Sequence, residues 1–293
     1  TAAGPLPALV GPGDVVILDR LAHACLVDAA RLSGARLRVF RHNDMEDLRR
    51  ILRWARAQQP QPGHAPLNIL VVTESVFSMD GDLAPLEDLV RLKEEFDAWL
   101  LVDEAHATGV LGVDRGGLVN QLGLEGRVEV TLGTLGKALG SAGGFIAGSH
   151  VLCEYLVNRA RSFLFSTAPP PGVAAASRLA AAKVRGPAGA TLQAALWERV
   201  HQLHRGLADL GWPRPKATSA ILPLIVGPEE AALRLAQALD DLGILAPAIR
   251  HPTVRRGEAR VRLTVSAAHT ASDVDQLLDA LREAQARAGI RPR

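Results

Sequence analysis

Two carboxylates and an imidazole at the end of an apolar run are the residues best suited to chemistry in this chain: Asp103, Glu104 and His106 within WLLVDEAHATG (99–109). Acidic groups there could bind magnesium, as in the D-E-A-H box of a nucleic-acid helicase. They could equally hold a protonated ring nitrogen of a cofactor. A helicase needs a phosphate loop G-x-x-x-x-G-K-[ST] upstream of its acidic box, because backbone amides and a lysine must hold the nucleotide. The one Gly-Lys pair, Gly136-Lys137, lies downstream, is followed by Ala138 and has Thr131 where the first glycine belongs. That mismatch excludes the helicase.

Lys137 sits among small residues in GTLGKALGSAGG (133–144). A lysine buried in such a setting has a lowered pKa and can form a Schiff base. It follows Asp103 by one strand-helix-strand unit, so the two can face each other across neighbouring strand ends, where a carboxylate can keep a pyridine-type ring protonated. Other polar residues gather at the expected strand ends: Asp19, Arg20 and His23, then Glu74, Ser75 and Ser78, then Thr134. In a parallel sheet all of these converge on one crevice.

The elements that must position them read as short continuous apolar runs at 15–18, 37–40, 68–74, 98–104 and 128–134, the pattern of strands buried on both faces. Helices are expected around 22–33, 44–58, 85–96 and 150–163, and 143–149 follows its neighbour too closely for a crossover, which predicts antiparallel pairing. The fold class is α/β, a mainly parallel sheet sandwiched by helices with a smaller C-terminal α/β domain. The domains are expected at 1–175 and 176–293. A long Ala-rich helical region runs to about 210, interrupted at Gly186 and Pro187. The second domain carries strands at 221–226, 244–249 and 260–265 and helices at 228–242 and 271–287, the last opened by a capping order from Thr270 to Asp273. Ala2–Val10 reads as the tail of an element already under way, and 58–66 as a loop.

Composition narrows the class. Of 293 residues 48% are hydrophobic and 22% charged, and the net charge of +2 comes from 33 basic and 31 acidic residues spread without blocks. This is an ordinary globular chain with no nucleic-acid patch. No apolar stretch is long enough to span a membrane and no signal peptide is visible, so a cytoplasmic location is expected. Cys25 and Cys153 are too few and too far apart for a disulfide framework or a metal site and read as buried small hydrophobes.

HACLVDAARLSGA (23–35), RHNDMEDL (41–48), VVTESVFSMDGDLAPL (71–86), LLVDEAHATGVLG (100–112), GTLGKALGSAGGFIAGS (133–149), NRARSFLFSTAPPP (158–171) and ARVRLTVSAAHT (259–270) together resemble the α-oxoamine synthases, a family of fold-type-I pyridoxal phosphate enzymes. The resemblance runs nearly end to end and in order. SMDGDLAPL, AHATGVLG, AIRHPTVRRG (248–257) and NRARSF lean toward the alanine-using branch over the glycine- and serine-using ones.

The resemblance implies a pyridoxal 5′-phosphate enzyme that condenses an amino acid, L-alanine on this reading, with an acyl thioester carried on CoA or acyl carrier protein, losing CO₂. Lys137 would carry the cofactor and act as acid and base. Asp103 would pair with the ring nitrogen, His106 with the phenolic oxygen, and His23 would stack on the ring. Ser78 would lie beside the ring and Thr134 would bind the phosphate, with Thr167 reaching in from the partner of a homodimer. Arg262 would clamp the amino-acid carboxylate and Arg250 is a candidate for the acyl group. The family's pattern continues upstream of Thr1 with a glycine-aromatic turn, so part of the cofactor site is expected to be missing from this chain, and Gly136 stands where many relatives have a phosphate-binding serine. The rival reading is a non-catalytic relative serving as a binding subunit; retention of Lys137, Asp103 and His106 argues against it.

Plainer roles compete. His23 could simply cap a helix, Ser78 cap its turn, and Glu74 and Glu104 tie strand ends to backbone amides. His42, His64, His201, His204, His251 and His269 have no metal-ligand spacing. Arg255, Arg256 and Arg260 read as solvated around a turn, although Arg260 and Arg262 share a sheet face by the period-2 rule.

Overall fold

A computed structural model describes residues 2–58, 67–213 and 219–292. The loop expected at 58–66 lies, Gln58 excepted, outside the described residues, and His64 with it. The chain divides into two compact units, Thr1–Phe77 with Leu83–Ala190, and Ser78–Asp82 with Thr191–Arg293. Residues 176–190 therefore go with the first unit, past the boundary at 175 that the sequence suggests, and Ser78–Asp82 goes with the second.

In the first unit, β1 (Val15–Asp19), β2 (Arg36–Phe40), β3 (Ile69–Glu74), β4 (Trp99–Asp103), β5 (Val130–Thr134) and β6 (Gly144–Gly148) form one sheet of order β2-β1-β3-β4-β5-β6. β1 to β5 are parallel, and β6 runs antiparallel to β5 as its short connection predicts. The helices are α1 (Pro5–Leu9), α2 (Ala24–Leu32), α3 (Met45–Arg56), α4 (Leu86–Glu95), α5 (Leu118–Gln121), α6 (His150–Arg159), α7 (Arg161–Leu164) and α8 (Pro171–Arg185), and α9 (Pro187–Asp209) continues from the first unit into the second. Among the described residues no helix is long and apolar enough to cross a membrane.

β1, β3 and β4 are the continuous apolar runs, and apart from Trp99 every residue in them is buried. Val16, Leu18, Leu70, Val72, Leu101, Val130 and Leu132 pack against Leu6 of α1 and Leu26, Ala29 and Ala30 of α2. Alternate residues Ile17, Val71, Leu100 and Val102 are equally buried, so both faces are covered,. β2 departs from that expectation. It is the edge strand, with Arg38 and Val39 exposed, since a strand at the margin has a neighbour on one side only. The helix expected over 150–163 breaks at Ala160, whose backbone is extended, into α6 and α7. The two cysteines are corrected as well: Cys25 is exposed and Cys153 partly so. α2 turns Leu26, Ala29 and Ala30 to the sheet and Cys25 lies off that stripe, while α6 buries only Leu156.

In the second unit β7 (Ile221–Gly227), β8 (Ala248–Ile249) and β9 (Ala259–Thr264) form an antiparallel sheet of order β7-β9-β8. Leu222, Leu224, Val261 and Leu263 pack with Leu235 and Leu239 of α10 (Glu229–Asp240) and Leu281 of α11 (Ala271–Ala288). The strand expected at 244–249 shrinks to its last two residues because Pro247 has no N–H for a ladder; its carbonyl instead accepts from the Arg262 amide at 3.1 Å,. Thr270 and Asp273 form the expected capping box, each side chain accepting the other's backbone N–H.

Arg260 is not solvated, as its place near a turn suggested, but 2% exposed. Its guanidinium pairs with Asp80 and donates to the carbonyls of Met79 at 3.3 Å and Glu258 at 3.1 Å. Ser78–Asp82 thus folds onto the charged face of β9. A buried cation that loses its anion is left uncompensated, whereas removing both charges is far milder. Asp80→Ala is therefore expected to destabilise the protein by about 3 kcal/mol in denaturant unfolding, and the double variant Asp80→Ala/Arg260→Met by markedly less.

Candidate functional site

β4 and β5 are neighbours in register, Asp103 opposite Leu132, so the loops leaving their carboxyl ends emerge side by side. That pairing sets Asp103, His106 and Lys137 together. Asp103 is buried, and its Oδ1 accepts from the Ala105 amide at 2.9 Å. Burial pushes its carboxyl pKa up, against the Ala105 N–H and the charges of Lys137 and His23, so these groups share one electrostatic neighbourhood,. The Lys137 Nζ lies 3.0 Å from the His106 Nε2. A base, an acid and an amine thus meet within the first unit.

The amine is not buried, as its small-residue setting suggested. Gly136, Lys137 and Ala138 are exposed, in a loop without regular secondary structure between β5 and β6. It is nevertheless fixed. The Leu135 amide donates to the Gly143 carbonyl at 3.0 Å, the Ser141 amide to the Leu135 carbonyl at 2.8 Å and the Gly140 amide to the Lys137 carbonyl at 3.0 Å. Thr134 Oγ1 accepts from the Gly136 amide at 3.2 Å and donates to the Gly143 carbonyl at 3.3 Å, so this predicted phosphate ligand also holds its own loop.

His23 is the N-cap of α2: its Nδ1 accepts from the Cys25 amide at 3.2 Å and lies 3.1 Å from the Cys25 Sγ. Capping and nearness to Asp103 coexist. Although Cys25 is exposed as a residue, partial enclosure of its sulfur first, then Asp103 and Glu74, push the thiol up, with Lys137 acting the other way, so Glu74 borders the same neighbourhood. Asp19, also expected in the crevice, is committed to its own turn; it accepts from the Leu21 and Asn43 amides at 2.8 and 3.0 Å, with His42 Nδ1 at 2.9 Å.

The remaining sequence candidates are divided between the two units. Thr167 is exposed in the segment after α7. In the second unit Ser78 is buried and its carbonyl accepts from Arg262 Nη1 at 3.0 Å, Arg262 is half-buried, and Arg250 is exposed directly after β8. A hollow of about 860 Å³ lies at the opposite, amino-terminal ends of β4 and β5, bordered by Trp99, Val130, Thr131 and Tyr155; none of the candidates lines it.

Sequence reasoning missed the parts that hold the two loops in place. Gly109, with φ +82°, passes so near the lysine loop that a Cβ there would lie 2.7 Å from the Ala138 Cβ. Arg115 is buried and its guanidinium donates to the carbonyls of Val184 and Arg185 at the end of α8. Ser141 Oγ meets Ser177 Oγ of the same helix at 2.7 Å. α8 therefore braces both loops. The run of glycines at 109, 112, 116 and 117 was the available signal for a tightly packed loop,.

Because burial raises the Asp103 carboxyl, the folded state holds that proton more tightly than the unfolded chain does. Its contribution to stability is present at acid pH and lost as pH rises through the raised value. Asp103→Asn removes the cost of burying the charge. Thermal unfolding at pH 7 to 8 should place the variant about 2 °C or more above the parent, with the gap closing near pH 4, about the ordinary carboxylate value. A variant melting below the parent at neutral pH would contradict it.

Residues 3–281 match the family aminotransferase class I and II. The 8-amino-7-oxononanoate synthase of Symbiobacterium thermophilum is 45% identical over 278 residues, spanning 95% of this chain and 69% of that protein. The protein of the same name from Alkalilimnicola ehrlichii is 45% identical over 285 residues, spanning 95% and 68%. Among solved structures, the high-resolution structure of SPT with PLP internal aldimine is 31% identical with a TM-score of 0.91, covering 98% of this chain and 70% of that one. The chain therefore belongs to the class I and II aminotransferase family, within its α-oxoamine synthase branch.

Proposed function

We propose that the protein is an 8-amino-7-oxononanoate synthase: a pyridoxal 5′-phosphate enzyme of biotin synthesis that joins L-alanine to a pimeloyl thioester, on CoA or acyl carrier protein, with loss of CO₂. The observation that carries this reading is the meeting of Asp103, His106 and Lys137 at the carboxyl ends of β4 and β5, with the Lys137 Nζ 3.0 Å from the His106 Nε2. The two synthases at 45% identity support the choice within the family.

The donor set fits the cofactor. It offers an accessible amine, a buried carboxylate beside it, an imidazole in hydrogen-bond reach of the amine and a strand-end hydroxyl at Thr134. Bound there, pyridoxal 5′-phosphate supplies an aldehyde carbon for an amine and a ring that withdraws the electron pair left when the substrate Cα proton departs. Asp103 would hold the ring-nitrogen proton in place, and its buried setting would strengthen that interaction. Lys137 Nζ would anchor the cofactor and would serve as the base and acid at the substrate Cα. His106, which fixes the direction of the amine, would hydrogen-bond the ring's oxygen, and His23 would cover the ring face. Thr134 would donate to the phosphate; for the second unit, the family resemblance assigns Arg262 to the amino-acid carboxylate through its planar fork, Ser78 to the ring and Arg250 to the acyl group.

The active form on this reading is a cytoplasmic homodimer in which Thr167 serves the partner's phosphate. In its support, Phe163 and Phe165, flanking Leu164 just before Thr167, are 63% and 75% exposed, the kind of apolar surface that marks an interface,.

The test is a thiol-release assay with added pyridoxal 5′-phosphate, pairing L-alanine, glycine and L-serine with pimeloyl-, acetyl-, succinyl- and palmitoyl-CoA, and with pimeloyl carrier protein. Preference for alanine with pimeloyl is expected; preference for serine with palmitoyl would replace the reading with the activity of the structural neighbours. Lys137→Ala should lose both the visible absorbance of the bound cofactor and at least about 10³-fold in turnover. Sedimentation should give a dimer, and a monomer with full turnover would overturn the shared site.

A further inference from the structure

Glu104 follows Asp103 directly yet points the other way, as successive residues of an extended chain do. It is fully buried, and its side chain accepts three hydrogen bonds: from Ser75 Oγ at 2.8 Å, the Leu118 amide at 3.0 Å and the Val119 amide at 2.7 Å. Its backbone is equally occupied. The Glu104 amide donates to the Leu132 carbonyl of β5 at 2.7 Å, and its carbonyl accepts from the Ala107 and Thr108 amides at 2.9 and 2.8 Å. One residue thus ties the end of β3, the strand β5 and both ends of the loop 104–119 to each other. His106 stands on that loop.

The space for the carboxylate is provided by Gly117. Its φ is +120°, and a Cβ there would lie 2.5 Å from Glu104 Oε2. The glycine and the acid are therefore two halves of one arrangement. Among the described residues the donors that reach the carboxylate are the two amides at the loop's far end and Ser75, just past β3, and none is among the groups assigned to the reaction.

We infer that Glu104 is a positioning residue: by clamping both ends of the loop 104–119, it fixes His106 at hydrogen-bond distance from Lys137 and so sets the direction of the lysine amine. This rests on the proposed function for its consequence in catalysis, but the geometric claim stands by itself. Removing the carboxylate leaves the Leu118 and Val119 amides buried without an acceptor, and the loop must shift to satisfy them. A displacement near 1 Å at a reacting group is worth up to about 100-fold in rate.

Three variants test it. Glu104→Ala and Gly117→Ala remove the arrangement from its two sides, and Glu104→Gln keeps one acceptor oxygen while setting an NH2 against the other loop amide. Crystal structures are expected to show the His106 Nε2 to Lys137 Nζ contact lengthened in the first two and lengthened less in the third. Pyridoxal 5′-phosphate should bind the alanine variants about tenfold or more weakly, with a shifted pH midpoint for its visible band, while Glu104→Gln falls between them and the parent. An Ala variant that melts earlier but keeps the contact near 3.0 Å and the parent's pH midpoint would overturn the inference, leaving Glu104 a stabilising residue only. If the parent itself binds no cofactor, the proposed function fails, and the crystallographic distance alone still decides the role of Glu104.

Discussion

Burying negative charge at the end of a parallel strand is the constraint from which the rest follows. Asp103 and Glu104 are consecutive, both buried, and both have their carboxyl pKa values raised by that burial. Such groups persist only where donors meet them. Glu104 finds its donors in Ser75 and the start of α5, and Asp103 is balanced by the Ala105 amide and by the charges of Lys137 and His23. One carboxylate is satisfied by the fold. The other is satisfied in part by groups that can do chemistry, which is what distinguishes a structural acid from a reactive one.

The loops around these acids are anchored by the buried side chains of Ala107, Leu111 and Leu139. Hydrogen bonds and close approaches add to that anchoring: Gly109 against Ala138, Arg115 on the last carbonyls of α8, and Ser141 against Ser177. α8 buries none of its residues, yet it contacts both the loop that bears His106 and the loop that bears Lys137. A helix otherwise exposed thus acts as a strut. Rigid strands deliver the residues and polar contacts at the loop bases fix their direction, an arrangement suited to a site that must hold two side chains within hydrogen-bond distance.

Arg260 teaches a related lesson in the second unit. Period-2 alternation correctly puts it on one face with Arg262, and its position near a turn suggests solvent. It is instead enclosed by Ser78–Asp82, a segment distant in sequence, and neutralised by Asp80. Exposure of a charged residue is decided by what covers it. No local pattern reports that.

By itself the sequence determined the parallel α/β class, the strand and helix sequence to within a few residues, the antiparallel return of β6 and the break at Gly186. It also singled out Asp103, His106 and Lys137, because apolar runs and breakers are local properties and the residue types of a reactive site are legible as letters. It missed α5 and mistook the buried state of Lys137, Cys25, Cys153 and Arg260. Tertiary structure alone decided those, along with the clamp of Glu104 on Leu118 and Val119 and the bracing by α8. The physical reason is that burial and hydrogen-bond partnership belong to pairs of groups brought together by folding, and a linear pattern carries information on each member but not on which other one it will meet.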